Sequence, residues 1–281
     1  MKERAIGIFD SGLGGLAVAR EVLREMPQED IIYFADFAHL PYGPRPSEEV
    51  KEFTLQAVDF LISKDSKVIL IACNTASAAW REEAQEKASE IPVIGMIEPA
   101  VKVTLAHSNI QKVGIIGTIG TIKSKVYDKT FQAKGTKARI FSNACPDLLR
   151  LAEKGQITDT NKIEELARMC VCPLEKEGID ILVLGCTDFT CVKDQLRNVL
   201  APHIKIVDPA MEVARTADEA LQMRGWRRLG RRQGRFSFYE SGECPKQLKE
   251  FAERVFNIKI GAIDPVRTST TSLILDQVDR P

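Results

Sequence analysis

Histidine is scarce in this chain, with three residues in 281, and net charge is absent, since 39 basic side chains cancel 39 acidic ones. The charge balance gives no reason to expect general attraction to nucleic acid or to a membrane surface. No apolar run approaches the length of a membrane span. A secretory leader is not expected, because Met1-Lys2-Glu3-Arg4 is followed only by Ala5 to Phe9 before Asp10. His39, His107 and His203 are scattered; only His39 lies near a candidate active loop, and none lies near Cys170-Val171-Cys172. No second cysteine pair has zinc-like spacing, so no metal site is expected. Gly12-Leu13-Gly14-Gly15 departs from Gly-x-Gly-x-x-Gly, which counts against a dinucleotide.

Cysteine, by contrast, is plentiful: Cys73, Cys145, Cys170, Cys172, Cys186, Cys191 and Cys244. The number is odd and the chain is long enough for its own core. The reading is therefore reduced thiols of a cytoplasmic protein rather than a disulfide framework. Two of them share a context. Val68-Ile69-Leu70-Ile71-Ala72 runs into Cys73-Asn74-Thr75, and Ile181-Leu182-Val183-Leu184 runs into Gly185-Cys186-Thr187. Each is a buried-strand pattern ending in Cys and then Thr or Asn-Thr, 113 residues apart.

Strand and helix patterns alternate along the chain. Ala5 to Phe9 reads as a strand, followed by a break at Gly12 to Gly15 and helical spacing of Leu16, Ala19, Leu23 and Met26. Ile31 to Phe34 is the next strand, Pro41 to Pro46 a loop, and Ser47 a cap for a helix running to about Ser63. After a strand at Pro92 to Gly95 the pattern restarts, Lys112 to Thr118 resembling Ala5 to Ser11 at an offset of 107 residues. The fold expected is α/β: two similar domains with mostly parallel sheets flanked by helices, related by a pseudo-two-fold. Residues 1–96 and 208–281 would form the first and 97–207 the second. A strand from Arg235 to Tyr239 and a helix from Pro245 to Phe256 would return to the first domain, and the tail from Asp264 shows little pattern.

In parallel sheets, ligands bind beyond the carboxyl ends of the strands. Four motifs fall there: Asp10-Ser11-Gly12, Cys73-Asn74-Thr75, Gly117-Thr118-Ile119-Gly120-Thr121 and Cys186-Thr187-Asp188. A helix start after each would favour an anion such as a carboxylate, and would favour a thiolate. Two thiols on matching strand ends suit moving a proton from one face of a carbon to the other. The rival reading is that each cysteine is a small buried hydrophobe. Arg224 to Arg235 holds six arginines in twelve residues, read either as a site for an acidic partner or as a solvated connection, the latter preferred.

Asp10 to Gly15, Pro41-Tyr42-Gly43, Ala72 to Ser77, Gly185-Cys186-Thr187 and Phe238 to Gly242 together resemble the glutamate racemase family, from residue 5 to about residue 258. The resemblance implies a cofactor-independent racemase with its site in a cleft between two α/β domains. It also implies a cytoplasmic homodimer that makes D-glutamate for bacterial peptidoglycan. Cys73 and Cys186 would be the acid/base thiols, with Asp10 assisting Cys73. Ser11, Pro41, Tyr42, Gly43, Asn74, Thr75, Thr118, Thr121 and Thr187 would surround the substrate, with Asp10. Glu153 matches an acidic position of the family only poorly. One departure is sharp: the family's Gly-Cys-Thr-His is here Gly185-Cys186-Thr187-Asp188, and the proline that follows two residues later is Thr190. Asp188 then stands where a histidine would assist Cys186. Related aspartate racemases resemble this chain in carrying an acidic residue there. The alternatives are an aspartate racemase, a one-sided or weak homologue, or a binding protein using the arginine segment.

Overall fold

A computed structural model describes residues 1–157, 159–243, 246–261, 263–268 and 273–275. The first half alternates β1 (Ala5–Asp10), α1 (Leu16–Glu25), β2 (Ile31–Asp36), α2 (Ser47–Ser63), β3 (Ser66–Ile71), α3 (Asn74–Ala88), β4 (Val93–Ile94) and α4 (Ile97–Leu105). The second half runs β5 (Lys112–Gly117), α5 (Ile119–Lys123), α6 (Val126–Ala133), β6 (Arg139–Ala144), α7 (Pro146–Glu153), α8 (Thr160–Lys176) and β7 (Ile181–Gly185). It continues through a 3₁₀ turn (Thr187–Val192), α9 (Lys193–Val199) and β8 (Lys205–Val207). The chain then returns with α10 (Ala210–Met223), β9 (Phe236–Ser241), α11 (Lys246–Phe256), β10 (Ile263–Thr268) and β11 (Leu273–Leu275).

Two sheets result. One has the order β11-β10-β9-β2-β1-β3-β4, the other β6-β5-β7-β8. The stretch β2-β1-β3-β4 repeats as β6-β5-β7-β8, all pairs parallel, so the repeat legible in the sequence is a repeat of topology. β1 and β3 are buried at every residue, as expected for parallel strands covered on both faces. Because the strands are parallel, Asp10, Cys73, Thr118 and Cys186 all leave at carboxyl ends.

Three expectations need correction. Cys145 and Cys170 form a disulfide, with Cα atoms 5.5 Å apart, instead of standing as reduced thiols. Cys145 follows β6 at the start of α7, and α8 brings Cys170 beside it, a proximity that a separation of 25 residues conceals. The segment Asp264 to Thr268 is not patternless: it lies in β10, which pairs parallel with β9. Residues 269–272, Cys244 and Pro245 lie outside the described residues. Ser47 is the first residue of α2, whose cap position is Pro46.

The arginine segment is a largely solvated connection, as expected, with Arg224, Arg231, Arg232 and Arg235 exposed, but it is also anchored at three of its arginines. Arg228 is buried and pairs with Asp30 at 2.7 Å, its backbone N–H donates to Glu29 at 2.7 Å, Arg232 pairs with Asp30 at 2.6 Å, and Arg227 pairs with Asp218 at 3.0 Å. Beneath it Lys67, fully buried on β3, donates to Glu29, to the Lys2 carbonyl at 2.9 Å and to the Trp226 carbonyl at 3.0 Å. These charges clamp the segment to the sheet's amino-terminal edge, opposite the strand ends that carry the cysteines.

Candidate active site

Asp10 ends β1 with its carboxylate turned back onto the loop, where Oδ2 accepts from the N–H groups of Gly12 at 3.2 Å and Gly15 at 3.0 Å. Burial raises its pKa, against the lowering by those N–H groups and that of Ser11. Cys73 occupies the cap position of α3 in extended backbone, 5% exposed, with Ser11 Oγ 3.7 Å from its sulfur. The expected help from the helix end does not prevail. Burial and then the Asp10 charge push the thiol up to about 12, against donation from the Ala76 N–H, the Ser11 hydroxyl and the Thr75 N–H. A helix end offers about 1 kcal/mol or less, too little to offset desolvation of a thiolate.

Cys186 is the counterpart on β7, 6% exposed and capping the 3₁₀ turn. Its sulfur lies 3.5 Å from Asp188 Oδ2. Burial, followed by the Asp188 charge, raises its pKa well above the ordinary thiol value. Burial likewise raises Asp188 strongly, reinforced by the charges of Glu153 and Asp10. The two halves are therefore similar but not identical: Asp188 faces its thiol directly, whereas Asp10 is held by backbone and Ser11 makes the nearer contact with Cys73.

The remaining predicted residues converge here. Thr75, Thr118 and Thr121 form a hydroxyl cluster across the two halves, with oxygen separations of 2.9, 3.0 and 3.4 Å. Gly43 accepts from the Gly120 N–H at 3.0 Å, and a Cβ at Gly43 would lie 2.9 Å from Thr118 Cβ. Thr187 and Asp188 press on the glycine loop so closely that a Cβ at Gly14 would sit 2.7 Å from Thr187 Oγ1 and 2.8 Å from Asp188 Oδ1. Asn74 is buried and its Oδ1 accepts from the Tyr127 hydroxyl at 2.9 Å. Tyr42 is buried with its hydroxyl donated to Asp36, which also accepts from Ser241 and lies 2.9 Å from His39 Nδ1. Pro41 and Gly43 line a cavity of about 800 Å³ with Thr118, Arg150 and Glu153. The thiols lie deeper, outside that lining; a narrow pocket containing Gly14, Glu153 and Asp188 adjoins it.

Glu153 is the functional candidate that sequence reasoning undervalued. It ends α7, and burial, aided by the Asp10 charge, holds its carboxyl up at about 7 against the pull of Arg150 and Lys154. Only the packing of α7 over the cleft brings it to Asp10 and Asp188; no local pattern marks it.

The Asp/Glu/Hydantoin racemase family model matches residues 14–217. This chain belongs to that family. The glutamate racemase of Geobacter metallireducens is 38% identical over 263 residues, 94% of this chain and 96% of that protein. A solved glutamate racemase of Bacillus anthracis superposes with a TM-score of 0.89 at 34% identity, covering 97% of this chain and all of the other. The Francisella tularensis glutamate racemase, solved with D-glutamate, superposes with a TM-score of 0.87 at 30% identity, covering 95% of this chain and 98% of that one.

Proposed function

We propose that this protein interconverts L- and D-glutamate by passing the α-proton between two thiols on opposite faces of the substrate, without a cofactor. The observation that carries this reading is the placement of Cys73 and Cys186 at the ends of corresponding strands, β3 and β7, in the four-strand stretches of the two sheets that share one order. Inversion needs a base on one face and an acid on the other, and a matched pair supplies both roles in either direction. Relatives named glutamate racemase, 30–38% identical over nearly the whole chain, support glutamate as the substrate.

In this reading Cys186 takes the proton from the L-enantiomer while Cys73 returns one to the other face. Asp10 receives the substrate ammonium. Ser11, Asn74, Thr75, Thr118, Thr121 and Thr187 offer uncharged hydrogen bonds to its carboxylates, and Pro41, Tyr42 and Gly43 form the adjoining wall. Asp188 is the partner of Cys186: a carboxyl raised by burial is a better base for a thiol than a carboxylate in water. The free cleft holds both thiols protonated. Entry of an ammonium group among Asp10, Asp188 and Glu153 supplies the positive charge that favours one thiolate. Residues 1–96 with 208–281, and 97–207, act as the two domains around the cleft. The family relationship implies a cytoplasmic homodimer supplying D-glutamate for peptidoglycan, which light scattering tests for its oligomeric part.

Optical rotation of purified protein with each enantiomer of glutamate and aspartate tests the reading. Rotation should decay to zero from either glutamate enantiomer, with aspartate much slower, and this decay should be unchanged after the protein is dialysed against a chelator. Turnover of aspartate alone would favour the aspartate racemase alternative, and no decay at all would overturn the function.

A further inference from the structure

We infer that Tyr127 is a positioning residue for substrate binding: its hydroxyl fixes the amide of Asn74 so that the NH₂ end faces the substrate. This deepens the glutamate racemase reading and rests on it. Tyr127 lies on α6, in the second half of the chain, while Asn74 opens α3 in the first. The phenol is 2% exposed and donates to Asn74 Oδ1 at 2.9 Å. Asn74 is equally buried, and its Nδ2 has no partner among the described residues. A buried amide nitrogen without a partner is costly unless a ligand completes it. Asn74 stands immediately after Cys73, so a substrate carboxylate is the acceptor that fits.

The chemistry needs the amide one way round. With Nδ2 inward, the side chain donates to a carboxylate; reversed, its carbonyl oxygen would repel one. Were the amide reversed, the phenol oxygen would accept from Nδ2 and its own hydrogen would lose the acceptor it has here, so the Tyr127 donation to Oδ1 favours the productive orientation. Burial raises the Tyr127 pKa and keeps the donor in place. The ring also lies beside the other half-site. A Cβ at Gly185, the residue before Cys186, would lie 3.4 Å from Tyr127 Cε2. Tyr127 thus spans from the Cys186 strand end to the residue after Cys73, and ties the donor to the relative placement of both thiols.

The test is a double-mutant cycle on Tyr127→Phe and Asn74→Ala, read by steady-state kinetics and by calorimetric binding of D-glutamate. Tyr127→Phe should raise KM for both enantiomers roughly five- to tenfold, the span of one lost hydrogen bond, with a smaller change in kcat. Its effect should vanish in the Asn74→Ala background, because nothing remains to be oriented. A purely structural phenol would lower stability in both backgrounds and leave KM alone. Unchanged KM in Tyr127→Phe, or losses that multiply in the double variant, would overturn the inference. Wild-type protein that binds D-glutamate without racemising it would overturn the function while the cycle still reports on binding. Failure to bind glutamate at all would overturn both.

Discussion

At the scale of the residue, Asp188 is the side chain set most directly against a thiol. The carboxyl lies 3.5 Å from Cys186 and is raised by burial, which makes its ionised form a stronger base toward the thiol proton than a carboxylate in water. Asp188→Asn keeps the volume and a hydrogen-bond acceptor but removes the base. It should lower kcat/KM by about 10²–10⁴, the range of lost general acid–base assistance. The loss must be equal in both directions, because the equilibrium between enantiomers is fixed. Chiral chromatography of initial rates checks this, and an Asn variant that turns over normally would remove Asp188 from the mechanism. Glu153 carries a pH signature. Its folded-state pKa of about 7 lies above the ordinary 4.5, so the folded state binds a proton that the unfolded state releases between those values. Its contribution to stability is therefore present below pH 4.5 and lost as pH rises to about 7. Glu153→Gln should flatten that part of the stability–pH curve, as denaturant melts at several pH values would reveal.

At the scale of the element, what was legible followed from burial. β1, β3, β5 and β7 are nearly continuous apolar runs because both faces of a parallel sheet are covered, and their ends located the cysteines. β6 left no such trace: it is an edge strand of the second sheet and none of its residues is fully buried. β10 was missed for a related reason, since it carries Asp264 and Pro265 within Ile263–Thr268. The site divided the same way. Residues adjacent to strand ends could be read; Glu153 and Tyr127 reach the cleft from helices, and only packing brings them there. The Cys145–Cys170 pairing was invisible for that reason too. Packing also explains a charge deep in the first sheet. Lys67 on β3 satisfies Glu29 and two carbonyls beneath the arginine segment. Lys67→Met should cost about 3–5 kcal/mol by leaving Glu29 uncompensated in the interior. Chemical denaturation measures this; a change below about 1 kcal/mol, as for an exposed pair, would contradict the buried clamp.

At the scale of the whole molecule, the chain is one βα arrangement used twice, with the carboxyl edges of the two sheets closing on one cleft. In the proposed reaction the repeat supplies one thiol to each face of the substrate. It also explains why the halves need not match residue for residue: Asp10 and Asp188 differ in how they reach their thiols. No helix among the described residues is long and apolar enough to cross a membrane. Within the arginine segment, Arg227, Arg228 and Arg232 are engaged by Asp218, Glu29 and Asp30 on the same fold, while Arg224, Arg231 and Arg235 are exposed. In the proposed reaction, two different thiols handle the proton on the two faces. The most direct measurement is the early course of racemisation in heavy water, started separately from protiated L- and D-glutamate. Two bases predict that the first product molecules carry deuterium at Cα from either direction, while the remaining substrate stays protiated. Product that retains the substrate's own proton, or substrate that exchanges as fast as product forms, would indicate a single base and contradict the account.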